Sequence, residues 1–202
     1  MEASVDTSAR LEGEKAQRIV AAMRQSVAAR GAAASTFDIV AREAGVSRGL
    51  LHYYFGSKER LLVEVVRRDC DTRIAALEER LEAAGSVDEI IGSLVQSLRA
   101  FVAEEAPQAV LYEMISASRH SDEIQAELAE LYDRWREHLA ESLRGKEKQG
   151  VVQLAADAES VASLLFALGD GLGMQLMADP DWDSGPAFDL AIAAAGRLLG
   201  GV

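Results

Sequence analysis

Thr36-Phe37-Asp38-Ile39-Val40-Ala41-Arg42-Glu43-Ala44-Gly45-Val46-Ser47-Arg48-Gly49-Leu50-Leu51-His52-Tyr53-Tyr54-Phe55 has the spacing of two short helices joined by a tight glycine turn. Ser35 or Thr36 is placed to cap a short helix running through Ala44. Gly45 ends it, because glycine accepts the positive φ of a helix terminus. Ser47 is placed to cap a second short helix running to about Tyr53. The small Ala41 and Gly45 let the two helices approach, and Val40, Val46 and Leu51 supply the apolar contact between them. The second helix is too short to stand alone, so its task is to present side chains. Arg48, Gly49, Leu50 and His52 are expected on its outer face, at a size that fits the roughly 12 Å major groove of duplex DNA.

Outward from this motif the helical period continues, and almost nothing alternates with period two. Residues 14–30 carry Ile19, Val20, Met23 and Val27 on one face and stop at Gly31. Ser57 caps a long helix running toward Leu81. Ser86-Val87-Asp88-Glu89 is a capping box, and its helix shows Ile91, Leu94, Leu98, Phe101 and Val102. Helices follow at about 107–117, from Ser121 to about Leu143, at 157–178 and at 186–199, with 145–150 expected as a polar loop. The expectation is an all-α protein of about nine helices. It comprises a flexible arm at 1–13, a three-helix helix-turn-helix domain at 14–60 with its motif at 36–55, and a C-terminal helical regulatory and dimerisation domain at 61–202.

Charge separates these parts. Of 202 residues, 33 are Asp or Glu and 21 are Lys or Arg, for a formal charge of −12. Segment 14–60 is +4, while 61–202 is −14. A positive head suits a polyanion, which the negative body would face away from. The single Cys70 excludes an internal disulfide framework and a Cys-rich zinc site, and leaves no second thiol to resolve an oxidised one. His52, His120 and His138 lie in no metal-ligand spacing, so no metal and no cofactor are expected. No nucleophile–base pair or phosphate loop supports an enzyme. The acidic N-terminus has no apolar run of an export signal. Residues 160–178 are nearly all apolar, but Asp170 and Gln175 interrupt them and acidic segments flank them. They are read as a buried helix of a cytoplasmic protein rather than a membrane span.

Residues 36–62, ending Gly56-Ser57-Lys58-Glu59-Arg60-Leu61-Leu62, resemble the DNA-binding signature of the TetR family of bacterial transcriptional regulators. The Ala-Gly-Val-Ser turn, the Tyr-Phe pair and the Ser-Lys-Glu-x-Leu run occur together and in register. The resemblance covers about a quarter of the chain, residues 14–62. Residues 167–172, Ala-Leu-Gly-Asp-Gly-Leu, are similar to the family's penultimate helix. The resemblance implies phosphate contacts from Thr36 and Ser47 at helix N-termini, and from Tyr53, Tyr54 and Lys58. It implies base or phosphate contact from Arg48, and close backbone approach at Gly49. Leu51 and Phe55 match core positions. Leu50 and His52 depart from the family's usual small polar residue and tyrosine, which bears on the operator sequence. Leu50 suits a thymine methyl, and His52 a base or phosphate.

A single short helix reads few bases, so a homodimer on a palindromic operator is expected. Gly169, Gly171 and Gly173 together cost about 2.5 kcal/mol in a helix interior, a cost that close helix packing offsets. Ala162, Gly169, Gly173, Ala191 and Ala195 are therefore expected at a four-helix dimer interface, as in TetR-like proteins. The resemblance also implies an inducer pocket, lined here by Leu98, Phe101, Tyr112, Met114, Trp135, His138, Phe166 and Asp170 and suited to a small, partly hydrophobic molecule. The expected function is a ligand-responsive repressor. Ligand would favour a conformation in which the two recognition helices no longer match successive major grooves, with the helix after Ser57 as lever. An activator or a ligand-independent DNA-binding regulator is the alternative within the class. A helical-bundle carrier or enzyme is the alternative outside it.

Overall fold

The computed structural model describes residues 13–200, so the expected arm at 1–13 lies almost wholly outside the described residues. Among the described residues there are nine α-helices and no strand. They are α1 Glu14–Ala34, α2 Phe37–Ala44, α3 Arg48–Phe55, α4 Lys58–Ala83, α5 Val87–Ala103, α6 Glu105–Ser118, α7 Asp122–Lys148, α8 Ala158–Ala178 and α9 Gly185–Leu198.

Most of the helix starts follow local chemistry. Thr36 Oγ1 accepts from the Ile39 amide, Ser57 Oγ from Arg60, Ser121 Oγ from Ile124 and Asp157 Oδ1 from Ser160. Each bond satisfies one N–H that a helix leaves without a partner at its start. That bond and the Ser160 hydroxyl hold the exposed Asp157 carboxyl below its ordinary range. The box at Ser86 forms: Ser86 Oγ accepts from the Glu89 amide at 3.2 Å, and the Glu89 carboxylate accepts from Gly85 N–H at 2.6 Å.

Three boundaries differ from expectation. The first helix continues to Ala34 across a break at Gly31 (φ 78°, ψ 161°). The recognition helix α3 extends to Phe55. Segment 145–150 is not a loop: α7 runs through Gly145 to Lys148. The stop is Gly150, at φ 74°, followed by a Val151 N–H to Lys146 carbonyl bond that closes the helix end. A glycine inside a helix costs about 1 kcal/mol. Buried Leu139, Ala140 and Leu143 outweigh it, and so does Lys146, whose buried ammonium donates to the carbonyls of Glu82 and Ala84 at the end of α4.

The chain divides into two compact units. The first holds residues up to Cys70 together with 104–130. In it α1 packs on α2 and on α6, and α2 packs on α3. Ile19, Met23 and Val27 of α1, Val40 of α2, Leu51 of α3, Leu61 and Val65 of α4 and Met114 of α6 are its largest fully buried side chains. Each contributes about 1.5–3 kcal/mol by leaving water. The second unit holds residues 71–103 and from 131 onward. Its core gathers Leu81, Ile90, Ile91, Leu139, Leu143, Val161, Ala162, Leu165, Ala195 and Leu199, with α5, α8 and α9 in mutual contact. The division thus crosses the sequence order, because α6 and the start of α7 cluster with the N-terminal helices. The helix α4 is continuous across Cys70 and Asp71.

Candidate nucleic-acid interface and ligand site

At the α2–α3 turn, Gly45 adopts φ 65°, ψ 39°, and its N–H donates to Arg42 while Val46 N–H donates to the Ala41 carbonyl. These two bonds close α2 and turn the chain into Ser47, which stands extended at φ −77°, ψ 148° ahead of α3. The Ser47 hydroxyl makes no capping bond to α3. This corrects the expectation that it caps the helix as Thr36 caps α2.

Leu51 and Phe55 turn inward, while Arg48, Gly49, His52 and Tyr53 are exposed and Leu50 is half-buried. Arg48 and His52, four residues apart, share one face of α3. The Arg48 guanidinium reaches Asp38 of α2 at 3.1 Å, with both side chains in solvent. His52 meets Phe37 edge-on, with ring centroids 4.8 Å apart, and its Nδ1 lies 3.1 Å from the Gly56 carbonyl. A carbonyl only accepts, so Nδ1 carries the proton. Tyr53 is 60% exposed and packs edge-on against the half-buried Tyr54. Lys58 is half-buried, and its ammonium donates to the Ala32 carbonyl near the end of α1. It is therefore anchored within the unit, with two N–H groups of the three left for other acceptors. Thr36 is exposed. Asp38, the partner of Arg48, was not singled out by sequence reasoning. Nothing in the spacing of ten residues marks the pair until the turn brings α2 and α3 together.

The residues expected around a ligand fall into both units. Tyr112 and Met114 belong to the first, where Met114 is plain core. The other six belong to the second. There Trp135 of α7 stacks on Phe166 of α8, with centroids 6.1 Å apart at an interplanar angle of 28°. Tyr132, one turn earlier on α7, meets Trp135 edge-on at 4.9 Å and directs its hydroxyl to Asp170 of α8 at 3.4 Å. Burial raises the Asp170 carboxyl above the ordinary aspartate range, and the Tyr132 hydroxyl opposes that shift. Tyr132 completes this aromatic–acid cluster and was missed. Its signal was the i, i+3 spacing with Trp135. Leu98 faces Gly169 and Gly173. Phe101 carries the Arg73 guanidinium over its ring at 5.3 Å. His138 pairs with Glu78 at 2.5 Å.

The small residues expected at a dimer interface mostly find partners inside their own unit. Ala162 and Ala195 are core. A side chain at Gly169 would touch Leu98, and one at Gly173 would touch Leu98 and Val102. Ala191 is half-buried. The outward residues are larger: Leu164, Met174 and Met177 on α8 and Leu190 and Ile192 on α9, with Leu190 71% exposed. So α8 is not the buried helix expected from its composition; one face is core and the other is bare. Among the described residues it is also the one helix long and apolar enough to cross a membrane by length and composition.

A helix-turn-helix tip with a basic, tyrosine-bearing reading helix, continued by one long helix into an all-helical second unit, defines the class of a DNA-binding transcriptional regulator. The family of bacterial regulatory proteins, tetR family, matches residues 19–65, and the BetI-type transcriptional repressor C-terminal family matches residues 92–200. The chain belongs to the TetR family, with a C-terminal region of the BetI type. The HTH-type transcriptional regulator BetI of Rhizobium meliloti (strain 1021) is 31% identical over 167 residues, spanning 80% of this chain and 77% of the relative. The regulator UidR of Escherichia coli (strain K12) is 21% identical, spanning 77% and 78%. Among solved structures, reduced NemR of E. coli superposes with a TM-score of 0.75 at 19% identity, covering 94% of this chain and all of that one. A transcriptional regulator from Saccharomonospora viridis in complex with choline superposes at 0.68 with 26% identity, covering 90% and 93%.

Proposed function

We propose that this regulator is a homodimeric repressor, acting on operator DNA in the cytoplasm, and that a small quaternary ammonium compound of the choline type releases it. The observation that carries the ligand class is the cluster of Tyr132, Trp135, Phe166 and Asp170. Aromatic faces attract a cation through the ring quadrupole, and a half-buried carboxylate supplies the counter-charge. The choline bound by the S. viridis regulator supports the same chemistry. Arg48 and His52 read base edges, while Thr36, Ser47, Tyr53, Tyr54 and Lys58 hold phosphates. The bare apolar residues Leu164, Met174, Met177, Leu190 and Ile192 meet a second copy, which places two recognition helices on a two-fold operator.

The test is calorimetric titration of the full chain with choline chloride, alongside operator release in a gel shift on DNA flanking its own gene. Choline binding that Trp135→Ala weakens at least about tenfold, with operator affinity kept, is the expected result. Equal affinity of wild type and Trp135→Ala would remove the cluster from the ligand site.

A further inference from the structure

We infer that Asp38 is a specificity-setting residue: its carboxylate holds the Arg48 guanidinium in the orientation that reads a base edge, without itself touching the base. This rests on the base-reading role proposed for Arg48. The Arg48 Nη1 lies 3.1 Å from one carboxylate oxygen of Asp38 and 3.3 Å from the other. Nη1 is committed to α2, and Nε and Nη2 form the remaining edge of the planar fork. Such an edge matches the O6 and N7 acceptors of guanine.

Asp38 lies in the first turn of α2, where the helix dipole favours an acid, but the field at this tip opposes one. The tip meets a polyanion, and residues 44–58 hold no acidic side chain at all. The other acid of α2, Glu43, turns to Arg30 of α1 at 2.7 Å. Asp38 instead stands in solvent beside α3, where an unoccupied carboxylate would repel phosphate. An exposed ion pair adds little to folding stability, so the fold itself gives weak reason for the pairing. A fixed arginine does give one. A free guanidinium finds phosphate at any sequence, whereas a held one loses less rotamer freedom on meeting its base and discriminates more sharply.

The full-length protein is incubated with a pool of random-sequence duplexes, the bound fraction is sequenced, and affinity for one unrelated duplex is measured in parallel. Wild type, Asp38→Ala, Asp38→Asn, Arg48→Ala and the double alanine variant are compared, with helical content and thermal midpoint as folding checks. Arg48→Ala is expected to lose about 5- to 100-fold of base preference at one position per half-site. Asp38→Ala loses at least about fivefold at that same position and binds the unrelated duplex about two- to fivefold more tightly. Asp38→Asn, which keeps an acceptor oxygen, falls between, and the double variant matches Arg48→Ala at that position. The inference is overturned if Asp38→Ala keeps the full preference. It is equally overturned if the preference is lost at a position that Arg48→Ala leaves intact, since Asp38 then contacts a base itself. If Arg48→Ala retains every base preference, the reading role of Arg48 fails and this inference with it.

Discussion

The nine residues expected at DNA lie in one short run, Thr36 to Lys58, whereas the aromatic–acid cluster of the second unit joins residues 132 and 135 to 166 and 170 across two helices. The first surface is built from turns and caps, which obey local rules. The second is built from helix packing, which does not. Charge follows the same division: the tip is positive in an otherwise negative chain. A surface for a polyanion needs little more than exposed donors in register along one short helix. A site for an organic cation needs a low-dielectric wall of rings, and only tertiary structure supplies one.

The largest expected effect breaks or upholds the electrostatic half of that contrast. A dimer neutralising about six to ten phosphates should lose about 10³-fold or more in operator affinity between 50 and 200 mM salt. Affinity for the ligand should change far less over the same range, because the proposed site engages it through ring faces and one carboxylate. A flat salt response in a gel shift would mean that the basic tip is not the contact surface.

The second effect sharpens the contrast through Asp170. Burial raises its folded-state pKa above its unfolded value. Its contribution to stability is therefore fully present below the ordinary aspartate range and lost as pH rises through the raised value. Asp170→Asn removes that loss, so the variant should melt higher than wild type at pH 7 and equally at the acid end of the window. A cationic ligand works in the opposite direction, since it favours the ionised carboxylate. Choline affinity of wild type should fall as pH drops through the raised value, by up to about tenfold per pH unit, while that of Asp170→Asn stays flat. Thermal melts with and without choline across that window separate the two signs.

What the sequence made legible follows the same line. The helices, the turn at Gly45 and the exposure of Arg48, Gly49 and His52 are all written in neighbouring residues, and the structure places them as read, while Leu50, expected on the same outer face, is half-buried. The pairs that join distant residues were not legible. Lys58 finds the Ala32 carbonyl, Arg48 finds Asp38, and Tyr132 finds Asp170. The small residues of α8 illustrate why. Spacing shows that one face admits a close neighbour, but it cannot say whether the neighbour is Leu98 of the same chain or a second copy. Nor does any local rule announce that α6, which carries Tyr112 and Met114, packs on α1.

The smallest expected effect sits within the tip, between two helix starts that look alike in sequence. Thr36 and Ser47 both stand extended ahead of an eight-residue helix. Only Thr36 turns its hydroxyl oxygen inward, where it accepts from the Ile39 amide at 3.4 Å. Thr36→Ala should therefore cost about 0.5–1 kcal/mol of folding stability, read as a shift in the urea midpoint. Ser47→Ala should cost no more than a few tenths, because no capping bond is lost. The phosphate contacts proposed for the two hydroxyls predict that both substitutions weaken DNA binding. Stability and affinity thus fall together at position 36, whereas at position 47 affinity falls and stability is nearly kept. Equal destabilisation by the two substitutions would show that Ser47 caps α3 after all.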